Sequence, residues 1–188
     1  DVQAVVESQD FYFQKGQDAL NKWLAMQVPE ELKNELLELS ENYHNIPIKA
    51  AENEAIKNII DLLFEIISYC DSRAKDKNTY NQYEDKRAVA MASVRMTVWI
   101  PNLVLHKFSR ENLGEGSPKN AFNYLLDPEN NITILSQNHR KLISEKLLQK
   151  PFNSLEFVND LRDYFSQYSI NCLNTKNYTH LLSLIVYA

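Results

Sequence analysis

Glycine stands at only three positions, Gly16, Gly114 and Gly116, in a chain of 188 residues. Two-residue hairpin turns and phosphate-cradling loops need backbone with φ above zero, which glycine adopts most readily. A chain so poor in glycine has few places to reverse a β-strand, and Leu, Lys, Glu and Asn recur along it instead. The expected class is therefore all-α, a multi-helix bundle or an orthogonal array of helices. At most a minor β element is expected near 132–135, where Ile132, Thr133, Ile134 and Leu135 have the composition of a short strand.

Proline marks where helices begin. Pro29 is followed by Glu30 and Glu31, a first turn in which proline is tolerated and acids complement the helix dipole. Pro47 opens the next helix in the same way. Between about 47 and 72, the residues Glu54, Lys57, Asn58, Asp61, Glu65, Ser68 and Ser72 fall on one narrow stripe and the rest is largely apolar, so this helix is buried on most sides. A second central helix is expected over 88–109, beyond a charged connector. Before them, residues 2–27 give an interrupted helical pattern. Residues 110–118 hold two of the glycines and a proline and offer the best point of subdivision within a single helical domain, with a core over 1–110 and shorter helices over 119–188. Those shorter helices are expected near 119–126, 136–149, 154–168 and 177–188. The chain starts at Asp1 and ends on the apolar run "LLSLIVYA" without a capping signal, which reads as a piece of a longer protein.

The most apolar stretch, Met91 to Phe108, is too polar at its middle to enter a bilayer. A span needs roughly 20 predominantly apolar residues, and this one carries Arg95, Pro101 and Asn102. Wound as a helix, it gathers Arg95, Trp99, Asn102 and His106 within about 60° of one another on an otherwise apolar cylinder. Pro101 is expected to bend or split it. Two readings follow. Either Arg95 pairs in the core with Asp61 or Glu65 while His106 bonds a carbonyl, or the four residues line a pocket for a carboxylate or phosphate, with Arg95 as the fork and Trp99 as an apolar wall.

The formal charge of −5 supplies no global field that would draw the chain to nucleic acid or to an anionic membrane. One locally basic helix carries His139, Arg140, Lys141, Lys146 and Lys150. With the helix that follows across Pro151, Phe152 and Asn153 it has the layout of a helix-turn-helix pair, which makes nucleic-acid association the alternative reading. The second helix is acidic where phosphate donors would be needed, so this reading is not favoured.

Glu41 and His44 share a helix face, but a bundle metal site needs two such pairs and further glutamates. Cys172 with His180 as nucleophile and base lacks an activating surround. No phosphate loop, dinucleotide fingerprint, zinc-protease motif or nucleophile elbow is present, so no catalytic residue, metal or cofactor is assigned. Cys70 and Cys172, far apart and without paired spacing, suit a reducing compartment such as the cytoplasm. The expected function is that of a non-catalytic helical interaction or regulatory module of a larger protein, whose partner is another protein or another domain of the same chain, the ten tyrosines favouring interface formation; an enzyme or anion-binding pocket built on Arg95, Asn102 and His106 is the third reading, after nucleic-acid association.

Overall fold

A computed structural model of the chain describes residues 2–70, 94–168 and 175–188, apart from the side chains of His44, Pro47 and residues 94–98. The described residues contain α-helices and short 3-10 turns and no strand, an all-α fold. In chain order the helices are α1 (Val2–Glu7), α2 (Gln14–Ala25), α3 (Glu30–Glu41), α4 (Ile46–Glu52), α5 (Glu54–Cys70), α6 (Val94–Phe108), α7 (Ser117–Leu126), α8 (Gln137–Lys146), α9 (Phe157–Ser166) and α10 (Tyr178–Tyr187). They divide into two compact units. Lys15–Gly114 forms the first, while Asp1–Gln14 joins Glu115–Ala188 to form the second, so the first is inserted in the sequence of the second.

In the first unit the buried residues follow the helical period. Gly16, Ala19, Leu20 and Trp23 of α2 repeat at intervals of three and four, one face of a 3.6-residue helix. Helix α5 buries Ile56, Ile59, Ile60, Leu62, Leu63, Ile66 and Ile67, and exposes Glu54, Asn58 and Glu65 along the stripe read from the sequence. Helix α6 packs against both α3 and α5, and Leu103 and Val104 reach its buried side. Although Pro101 lies inside it, α6 runs unbroken from Val94 to Phe108, so the expected split does not occur.

One central helix is two. The expected helix over 47–72 breaks at Asn53, whose backbone is extended. Its side-chain Oδ1 accepts from the N–H groups of Ala55 and Ile56 at 3.0 and 3.3 Å, supplying two donors of a new helix start that α4 could not continue into. Residues 71–93, including Ser72 and the beginning of the expected 88–109 helix, lie outside the described residues.

The second unit is built around Ile132, Ile134, Ile143, Phe157, Leu161 and Leu182. Its entry at α7 follows Gly116, whose φ of 152° is open to glycine and strained for other residues. Residues 132–135, where at most a minor β element is expected, form no strand. They are a loop that drives Ile132 and Ile134 fully into the core. Helix α8 begins where the Ser136 hydroxyl accepts from the His139 N–H, and the chain past its end turns through Gln149 at φ 55°, with the Lys150 N–H returning to the Ser144 carbonyl. Helix α9 starts later than expected, at Phe157, because Asn153 first holds a turn by accepting from the Leu155 N–H at 3.0 Å.

Two substitutions measure these features. Leu63 is fully buried, so Leu63→Ala is expected to cost about 2–5 kcal/mol in chemical denaturation. Asn53→Ala is expected to cost about 1 kcal/mol, the usual worth of a capping side chain.

Candidate functional site

Helix α6 carries the first group of candidate residues, and its interior takes most of them. Trp99 and His106 are each 5 % exposed, and Asn102 is half-buried. The Arg95 side chain lies outside the described residues, so the expected pairing with Asp61 or Glu65 is not seen in either sense. The guanidinium near His106 is that of Arg110, one turn on, whose Nη2 is 3.3 Å from His106 Nε2. A guanidinium only donates, so Nε2 is the acceptor and the imidazole proton sits on Nδ1. Burial, reinforced by the Arg110 charge, pulls the His106 pKa from 6.5 to about 4. His106 is therefore neutral at pH 7 and offers no charge to an anion.

The neighbouring cation has a different task. Lys107 Nζ donates to the carbonyls of Trp23, Leu24 and Met26 at 2.6, 3.0 and 2.7 Å, and lies 4.7 Å from the Trp23 ring centroid. These carbonyls are at the C-terminal end of α2, where helical partners run out and the dipole favours positive charge. Alongside, the Trp23 indole N–H donates to the Leu103 carbonyl at 3.0 Å. Together they fix α2 to α6.

In the second unit the basic helix does not present the set read from the sequence. Arg140 is 4 % exposed and turned inward. Its Nε donates to the Ile134 carbonyl at 2.7 Å, its Nη2 reaches the Ile132 carbonyl at 3.5 Å, and its guanidinium lies 5.3 Å from the Phe157 ring centroid. Burial lowers its pKa to about 10, which leaves it cationic at neutral pH. Arg140 is thus removed from the proposed nucleic-acid contacts, because its donors are spent on the loop below it. Lys150 bonds the Asp160 carboxylate. His139, Lys141 and Lys146 remain exposed. The connection between α8 and α9 runs from Leu147 to Glu156, far longer than the tight turn of a helix-turn-helix pair.

A third polar group surrounds His180. Ser183 Oγ donates to the Thr179 carbonyl at 3.2 Å and Thr133 Oγ1 donates to Ser183 Oγ at 2.8 Å. Thr133 Oγ1 lies 2.7 Å from His180 Nδ1 and, its own proton being committed, accepts from that nitrogen. The proton chain therefore runs away from the imidazole and into a helix carbonyl. That polarity leaves neither hydroxyl activated as a nucleophile toward His180. Cys172, its expected companion, lies outside the described residues, as does the His44 side chain.

Among the exposed large apolar residues, Leu142 and Tyr187 stand on α8 and α10, the helices that carry or touch the remaining basic set. Tyr187 is 53 % exposed and Leu142 54 %. The Tyr187 hydroxyl is 2.9 Å from His139 Nδ1 and the two rings meet edge to face at 5.7 Å. Leu142 and Lys146 share a helix face with His139. The sequence reading passed over Leu142 and Tyr187; an apolar residue within a basic helix was the available signal. Comparison with protein-family models, curated proteins and solved structures finds no match. Among the described residues no group of His, Cys, Asp or Glu is arranged to hold a metal ion, and no helix is long and apolar enough to cross a membrane.

The two buried bases give measurable expectations. Because His106 is held near 4 when folded and regains about 6.5 when unfolded, the unfolded chain binds the extra proton between those values. The His106 contribution is therefore full above pH 6.5 and falls away as pH drops towards 4, by up to roughly 3 kcal/mol at 1.36 kcal/mol per unit. The stability–pH profile of His106→Gln should lack this component. Arg140→Met is expected to cost about 2 kcal/mol in urea denaturation by orphaning the Ile134 carbonyl, and Arg140→Lys should not restore it, since lysine lacks the fixed fork that places Nε on the Ile134 carbonyl and Nη2 towards that of Ile132.

Proposed function

We propose that the chain is a non-catalytic helical interaction module acting in the cytoplasm, and that its second unit binds a partner, another protein or another domain of the same chain, through the face formed by His139, Leu142, Lys146 and Tyr187. The observation that carries this reading is the contact of Tyr187 with His139, with Leu142 about half exposed one turn further along the His139 face of α8. Tyrosine supplies interface area with a polar tip and is enriched in the cores of protein interfaces. Lys141 and Lys146, exposed on the same helix, would meet an acidic rim on the partner.

The buried polar groups support the same reading by what they are committed to. His106, Lys107, Arg140 and Thr133 each spend a polar atom on protein atoms. Nucleic-acid association would rest on His139, Lys141 and Lys146, a smaller cationic set than the sequence offered.

The test uses Leu142→Asp and Tyr187→Ala, both at exposed positions, where the melting temperature should be nearly unchanged. Each should lose a partner that the wild-type chain captures from cell extract, while Ile48→Asp, at a 56 % exposed site in the first unit, should keep it. Retention of every captured protein by Leu142→Asp would end this reading. Binding to nucleic acid that weakens steeply with salt and survives Leu142→Asp would favour the alternative.

A further inference from the structure

Within the second unit, the segment Val2–Tyr12 lies on residues 175–188 in the manner of a bound peptide. Helix α1 has no buried residue. The polar contacts centre on the stretch from Thr175 to His180, and α1 also lies against α10. The Asn177 amide clamps the backbone, accepting from the Tyr12 N–H at 2.7 Å and donating to the Asp10 carbonyl at 2.9 Å. Lys176 Nζ donates to the Gln9 carbonyl at 3.1 Å and lies 4.5 Å from the Phe11 ring centroid. The Tyr12 ring stacks on His180, centroids 3.5 Å apart and planes 10° from parallel. Immediately afterwards the chain reverses. The Gln14 N–H bonds the Phe11 carbonyl at 3.0 Å, and Phe13, third in that turn, has φ 68°. Turns with positive φ at this position ordinarily carry glycine, and a bulky aromatic there is strained.

We propose that Val2–Tyr12 is an exchangeable strap and that two copies of this chain associate by trading it, each strap docking on the Lys176–His180 stretch of the other copy. The partner is thus a second copy of the chain, and the proposal is independent of the Leu142 and Tyr187 face. Every contact just described is reproduced between copies, so those contacts cannot favour either form. The hinge decides. Closed on its own chain, the strap requires the turn at Phe13; opened towards a second copy, Phe13 returns to negative φ and the strain is released. A strained short hinge and a docking site that recognises the segment equally well from another chain are the conditions under which exchange occurs.

The experiment uses the full chain. Light scattering behind size exclusion, after incubation or refolding at high concentration, should show a dimer. Its strength should follow the hinge: Phe13→Gly and Phe13→Ala both delete the ring contacts with Tyr12 and Tyr124, and the alanine, strained at positive φ, should associate several-fold more strongly than the glycine. To establish that the strap itself crosses, a Gln9→Cys copy is mixed with a Lys176→Cys copy of different mass, both with Cys70→Ala and Cys172→Ser, and treated with a short thiol crosslinker. Linkage between unlike copies in the dimer fraction is expected. A chain that stays monomeric, a dimer without that linkage, or equal association constants for Phe13→Gly and Phe13→Ala would each overturn the proposal.

Discussion

A loop that puts its side chains into a core takes its carbonyls there too, and the second unit depends on how residues 132–135 resolve that conflict. Ile132 and Ile134 are fully buried and belong to the central cluster, yet no neighbouring strand accepts or donates along their backbone. Arg140 from α8 supplies the donors for Ile134 and Ile132, and Asn120 from α7 donates its Nδ2 to the Leu135 carbonyl at 2.8 Å. Two helices thereby grip the loop through its backbone while it fills the space between them with isoleucine. An unsatisfied buried carbonyl would cost about as much as burial of a small side chain gains, so the grip and the core stand together.

The first unit meets the equivalent problem at a helix end. Helix α2 finishes against α6, and its final carbonyls find Lys107 rather than water. The ammonium satisfies several acceptors at once, complements the negative end of the dipole and faces the π-cloud of Trp23. Burial disfavours the charged form, as the lowered pKa of Lys107 records, but the three carbonyls return what water would have given. In both units a long cationic side chain completes backbone hydrogen bonding.

Legibility in the sequence followed the same division. Periodic burial was readable, because α5 repeats its apolar residues often enough to leave Glu54, Asn58 and Glu65 on one visible stripe. Helix starts and stops that depend on a single side chain were not. Asn53 ends one helix and begins another with nothing around it in sequence to distinguish it from the other asparagines, and Gln149 and Phe13 adopt positive φ that glycine scarcity seemed to forbid. The strand-like composition of residues 132–135 left at most a minor β element open there, and the structure uses the alternation for burial without pairing. Arg140 misled: its charge predicts exposure, whereas its role is set by carbonyls from residues six and eight places earlier.

Polar residues set in apolar surroundings therefore divide by what their donors meet. Where the partner is backbone, as for Arg140, Lys107 and the Thr133–Ser183 chain, the group holds the fold and its charge or hydroxyl is spent. The amide of Asn177 meets backbone as well, but that backbone belongs to Val2–Tyr12, a segment whose own helix buries nothing and whose turn is strained. A side chain that bonds the peptide unit reads no sequence from it, so sequence discrimination at that place falls to the rings: Tyr12 against His180 and Phe11 beneath Lys176. On that stretch the main chain of residues 9–12 is held by Lys176 and Asn177 while the rings of Phe11 and Tyr12 meet Lys176 and His180, so backbone and side-chain contacts are made side by side by the same few residues.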